Sequence, residues 1–212
     1  MLDVKSDEAR KTVKSVCEYV VWLKSIHHIY LELFENDEAE DLMQKTAAVF
    51  FRDVNKVIVD YLLLSIARIT DPPRTGQHEN FTVGNLRETI DWPENIRQRL
   101  TELNQRLEAF KRHIAPARNK LIAHLDKPSF LGDLALGEFP AGQDREVMKA
   151  LEEMCNVMHK ASFGEIFGSI GVGVWGDVSD LKKSLTRSIA FEKLWKEAKG
   201  EELFKLHQLL KS

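Results

Sequence analysis

Six apolar residues, Ile96, Leu100, Leu103, Leu107, Phe110 and Ile114, follow one another in alternating steps of four and three. On a helix of about 3.6 residues per turn this spacing lines all six along one edge, the seam by which helices pack in bundles. A chain with such an edge must supply other helices to cover it. Val13, Val16, Val20, Leu23, His27, Tyr30 and Phe34 repeat at the same steps behind a capping Ser6, and Leu42, Val49, Phe50, Val54, Ile58, Leu62 and Ile66 trace a second long helix. Around Val57 to Ile69 the apolar residues spread beyond one stripe, which places that part at the centre of a bundle or in a contact between subunits. No convincing alternating strand pattern competes with these helices. The expected class is all-α, an antiparallel helical bundle with additional C-terminal helices.

The breaks between helices are marked by their residue types. Glu35 to Asp41 reads as an acidic turn, and Asp71-Pro72-Pro73-Arg74-Thr75-Gly76-Gln77 must end the second helix. Thr82 caps a short helix, and Pro93 suits the first position of the helix that carries the seam. Pro116 biases Ala115 away from helical angles, so a break or kink is expected there, and Pro116 is suited to open a new helix carrying Arg118 and His124. Residues 127–143 read as a long loop with a short extended piece at Leu134 to Phe139. Asp144 is the expected cap of a helix bearing Val147, Leu151, Met154 and Met158. Ser179 opens a last helical region, interrupted near Gly200. With 212 residues and 43% hydrophobic content the chain can bury a real core. The organisation expected is a bundle over residues 1–176 with a C-terminal helical appendage, 177–212, packed on the same domain.

Several chemistries find no support. The N-terminus is charged from the start and lacks the apolar core of a secretion signal, and Val57 to Ile69 is too short to span a bilayer, so a cytoplasmic protein without membrane contact is expected. Cys17 and Cys155 stand alone within apolar helical patterns, where a cysteine acts as a small hydrophobe. His27 and His28 point about 100° apart on a helix and cannot chelate one metal by themselves, so they read as packed or surface histidines. Met148, Met154 and Met158 read as core. The run Gly171-Val172-Gly173-Val174-Trp175-Gly176 has the glycine spacing of a dinucleotide-binding loop without the preceding strand that loop requires. No metal and no cofactor are expected.

Chemistry is suggested at one place, Ala117-Arg118-Asn119-Lys120-Leu121-Ile122-Ala123-His124-Leu125-Asp126. It falls in a basic stretch, residues 97–127, where eight lysines and arginines face three acids in a chain of formal net charge -3. Cleaving RNA without a metal needs a base for the 2′-hydroxyl proton, an acid for the leaving oxygen and positive charge on the phosphorane-like transition state. Histidine titrates near neutrality and serves as either acid or base, and arginine offers a fixed planar charge to phosphate oxygens. On a regular helix, though, Arg118 and His124 lie about 120° apart around the axis and about 9 Å apart along it. Lys120 is the neighbour that shares the face of His124. A second copy of the chain would bring another arginine–histidine pair into one cleft. The plainer reading makes Arg118, Lys120 and His124 a solvated face opposite Leu121, Ile122 and Leu125. On the second helix, Arg68 and Asp71 either form a local ion pair or support a nearby site.

The order Arg118-Asn119, then His124 after five intervening residues, resembles the signature of the HEPN superfamily. Together with Leu64-Ser65-Ile66-Ala67-Arg68-Ile69-Thr70-Asp71, the stretch is similar to the bacterial abortive-infection branch of that superfamily, over roughly residues 5–170. The resemblance implies a helical bundle. It also implies a metal-independent endoribonuclease of a toxin or phage-defence system, acting on RNA as a homodimer whose two signatures share a cleft, with an antitoxin protein as a possible further partner. Arg118 then stabilises phosphate charge, His124 is the acid or base and Asn119 orients either, with Lys120, Asp126, Arg68 and Asp71 supporting or contacting substrate. Asp126 stands where some relatives carry a tyrosine that a nucleotidyltransferase modifies, so neutralisation by that route is not implied. The alternative is a non-catalytic helical module that binds nucleotide, RNA or a protein through the same face.

Overall fold

The structure is a computed structural model, and it describes residues 1–117, 142–168 and 177–209. Seven helices carry the described chain: α1 Asp7–Phe34, α2 Asp37–Ile69, α3 Val83–Thr89, α4 Glu94–Ala117, α5 Gln143–Phe163, α6 Val178–Glu197 and α7 Glu201–Leu209. The strands are only two residues long. β1 (Leu2–Asp3) pairs in parallel with β4 (Ile90–Asp91), and β2 (Arg74–Thr75) pairs antiparallel with β3 (His78–Glu79). The all-α class read from the periodicities holds.

The chain divides into two compact units, one of Met1–His27 with Ile58–Ile170, the other of His28–Val57 with Gly171–Ser212. In the first, the seam of α4 is buried at Leu100, Leu103, Leu107, Phe110 and Ile114. α5 buries Val147, Leu151, Met154 and Met158, with Met148 and Cys155 beside them. The same unit buries Val13, Val16, Val20 and Leu23 of α1 and Leu62, Ile66 and Ile69 of α2. Cys17 and Cys155 meet in this core, the Cys17 thiol lying 3.7 Å from the Cys155 carbonyl oxygen. The hydrogen bond with Cys17, followed by burial, holds the Cys155 thiol well above its usual pKa. In the second unit Leu33, Met43, Phe51 and Val178 form a smaller core with Ile29, Phe34 and Leu185 packed against it, and Lys182 pairs with Glu32 at 2.7 Å.

Helix ends follow their capping residues with three departures. Ser6 Oγ accepts the Ala9 N–H and Thr82 Oγ1 accepts the Asn85 N–H, as expected. The acidic turn expected over Glu35 to Asp41 is shorter, because Asn36 Oδ1 accepts the Ala39 N–H and Asp37, Glu38 and Glu40 become the first turn of α2, where acids favour the positive end of the helix dipole. α2 bends at Ala47 (φ -147°, ψ 58°). Asp144 does not cap α5: Gly142 holds that position in the left-handed conformation, leaving Asp144 in the first turn. α4 continues through Pro116 to Ala117, so the break expected at Ala115 does not occur there. A proline this close to a helix end removes one hydrogen bond without interrupting much helix. The 127–143 loop and the glycine run at 171–176 lie outside the described residues but for residues 142 and 143.

Two stability measurements follow. Leu151→Ala opens a cavity in the first unit and is expected to lower unfolding free energy by about 2–5 kcal/mol in urea titration, without changing helical content in the native state. At α6, Asp177 accepts the Ser179 hydroxyl and the backbone N–H groups of Asp180 and Ser179, which holds its carboxyl below the ordinary 3.8. A depressed folded pKa means that the cap stabilises fully above the unfolded value and is lost as pH falls through the folded one. Thermal midpoints of wild type and Asp177→Ala should therefore differ well above pH 3.8 and converge well below it.

Candidate functional site

Arg118, Asn119, Lys120, His124 and Asp126 lie outside the described residues. What the structure does describe is α4, which precedes that stretch in the chain, and the end of α2 that it reaches. Lys111, seven residues before Arg118, reaches from α4 to the end of α2, where its ammonium donates to the Thr70 carbonyl at 2.8 Å. The last carbonyls of a helix lack intrahelical donors and carry the negative end of its dipole, so a half-buried lysine satisfies them doubly. Thr70 is itself buried and turns its hydroxyl back onto the Ile66 carbonyl at 2.7 Å. The end of the Leu64–Asp71 stretch is thus tied to α4.

Arg68 and Asp71 share a backbone hydrogen bond, the Asp71 N–H donating to the Arg68 carbonyl at 3.3 Å. The local ion pair expected between them is not what joins them. Arg68 is exposed, whereas Asp71 is half-buried with its Oδ1 shut off from solvent.

The basic stretch resolves into two parts. Toward the start of α4 its arginines are neutralised within the fold: Arg97 pairs with Asp91 (3.2 Å), Arg99 with Glu102 (2.9 Å) and Glu153 (3.0 Å), and Arg106 with Glu146 and Glu153 (both 3.2 Å). The bond to Glu102 raises the already high pKa of Arg99. Glu146 and Glu153 belong to α5, so these pairs stitch its exposed edge to α4. At the other end of α4, Arg112 and His113 are exposed and make none of these pairs.

Other chemically capable groups serve packing. His27 is buried and meets Asp144 Oδ2 through Nε2 at 2.6 Å, while His28 points to solvent. His159 stacks on Phe163 with ring centroids 4.3 Å apart and engages the Glu165 carbonyl through Nδ1. Among the described residues no group of three or more His, Cys, Asp or Glu is placed to hold a metal ion. An open groove of about 190 Å³ in the second unit, lined by Phe34, Met43, Phe51, Arg52 and Asn55 among others, contains none of the expected site residues.

Comparison with protein families matches residues 6–178 to a HEPN family described as AbiU2. The chain belongs to the HEPN AbiU2 family. Its abortive-infection-type HEPN domain covers α1 to α5 and residues 118–124, and the match ends at Val178, the first residue of α6. No curated protein and no solved structure matches the chain. No helix among the described residues of this HEPN AbiU2 protein is long and apolar enough to cross a membrane.

Sequence reading counted Lys111 only as one charge among eight and missed its part as a tie. Its position one residue after Phe110 in the buried seam is the available signal, since a long cation flanking an apolar edge can reach a neighbouring helix end. Lys111→Met should leave the Thr70 carbonyl without its donor and cost about 1–3 kcal/mol in equilibrium unfolding. Lys111→Arg is expected to recover part of that loss, and equal stability of all three proteins would contradict the role.

Proposed function

We propose that this HEPN AbiU2 protein is a metal-independent endoribonuclease of a toxin or phage-defence system. The observation that carries the reading is the family match over residues 6–178, within which Arg118, Asn119 and His124 stand in the order and spacing of the superfamily signature. In this reading His124 takes the 2′-hydroxyl proton or protonates the leaving oxygen, Arg118 carries phosphate charge and Asn119 orients either group. Lys120 and Asp126 contribute to the same surface.

The chain works as a homodimer in this reading, because a regular helix sets one arginine and one histidine too far apart around its axis for joint action. The exposure of Val49, Phe50 and Val57 on α2, 64%, 62% and 66%, supports self-association. Large apolar side chains so close together in sequence are unusual on a surface that faces only water.

Purified full-length protein is expected to degrade RNA in the presence of a chelator. His124→Ala should reduce that rate by about 10²–10⁴-fold while the circular dichroism spectrum stays unchanged. Intact RNA after incubation with folded wild type, or cleavage undiminished in the variant, would sink the proposal.

A further inference from the structure

Beyond its bend at Ala47, α2 runs on to Ile69 as regular helix. Phe50, Val54, Val57, Tyr61, Leu64 and Arg68 follow one another there in steps of four and three, which on a helix keeps all six within about 80° of arc. This is the spacing of the α4 seam with the opposite outcome. The α4 residues from Leu100 to Ile114 are buried, whereas Phe50, Val57 and Tyr61 keep 62%, 66% and 36% of their surface exposed. Arg68 is exposed too, and Val54 and Leu64 are half-buried. The comparable seams of α1 and α5 are covered within the chain.

A neighbour widens the stripe. Trp22 of α1 donates through Nε1 to the Tyr61 hydroxyl at 2.8 Å while 54% of its own surface stays exposed. That bond satisfies the indole N–H, the one polar group of the Trp22 side chain, so the ring can be shut off from water without leaving a donor unpaired. Charge beside the stripe is settled locally as well. Asp53 pairs with Arg52 at 3.0 Å, and Lys56 and Asp60 each have a partner. The stripe carries no base from Phe50 to Leu64, so a phosphate backbone finds no cation there, and Asp53 and Asp60 alongside disfavour an anionic membrane. What suits such a face is another helix with an apolar seam.

We infer that this stripe of α2, with Trp22 beside Tyr61, is the face on which two copies of the chain join, seam against seam. The inference rests on the homodimer of the ribonuclease reading and names where that dimer forms. A surface that meets its own copy has to be self-complementary. A four-three seam meets that condition, because ridges and gaps recur at the same intervals on both helices. From Phe50 to Arg68 the stripe runs about 27 Å along the axis. Trp22 broadens the contact beyond a single helix pair, as a stable interface of about 800 Å² per partner requires. The Arg52–Asp53 pair lets two copies approach with opposite charges already matched within each. Arg68 is the one charge on the stripe, and it stands at the end, outside the five uncharged positions.

The test compares full-length wild type with Phe50→Ser, Val57→Asp and Leu194→Ser by sedimentation velocity over a concentration series. Residues 50 and 57 are mostly exposed within one chain, so both variants should keep the wild-type circular dichroism spectrum. Each is expected to raise the dimer dissociation constant about thirtyfold or more. Leu194 is 57% exposed but lies on α6, and Leu194→Ser should leave the constant unchanged. A folded Val57→Asp protein that dimerises like wild type would overturn the inference. So would a monomeric wild type, or a dimer lost in Leu194→Ser and kept in the α2 variants. The two readings fail separately. Wild type that cuts RNA while Val57→Asp stays dimeric removes this face but keeps the nuclease, and a dimer broken by the α2 variants whose wild type leaves RNA intact does the reverse.

Discussion

A long helix with one apolar edge does not persist alone in water, because its edge stays wet and its ends stay unsatisfied. α4 is such a helix, and burying its seam is the constraint from which the first unit follows. Leu100, Leu103 and Leu107 are fully buried, each worth about 1.5–3 kcal/mol relative to exposure. That burial requires the facing residues of α5, and it sets the register in which Arg99 and Arg106 reach Glu153. The seam also fixes the outward direction of every other residue on α4. Lys111, half in and half out, is carried to the end of α2 as a result.

From this placement comes an electrostatic division along α4. Arginines near its start are used up on acids of the fold, so they contribute to cohesion and little to any external field. Toward its end Arg112 is exposed and makes none of these pairs, while Lys111 is drawn to the Thr70 carbonyl at the end of α2. The net charge of -3 conceals this, since the surplus of acids elsewhere outweighs it. In the nuclease reading, the helix that anchors the bundle also launches the signature, and a mutation weakening the seam would disturb both stability and the site.

Fold class was legible because period alone decides it: the steps from Leu100 to Ile114 and from Val147 to Met158 reappear as buried faces. Helix ends were legible where a side chain makes the cap, as at Ser6 and Thr82, and less so where tertiary contact intervenes. Asp144 has the right chemistry for a cap, yet the carboxylate goes to His27, which is more than a hundred residues away in sequence. Pro116 shows the opposite failure, a local signal overruled because the proline arrives in the last described turn of an already packed helix. The basic stretch looked continuous in sequence, since nothing there reveals that Glu146 and Glu153 would cross over to neutralise part of it. The signature residues were chosen by order and spacing, and the family match supports the membership they implied.

The proposed nuclease depends on assembly, because a regular helix would set Arg118 and His124 of one chain too far apart for shared chemistry. Sedimentation equilibrium of the full chain, at the concentration and salt at which RNA is cut, tests this most directly. The mass of two chains is the predicted result. The mass of one chain, in a sample that still cuts RNA, would contradict a site completed by a second copy.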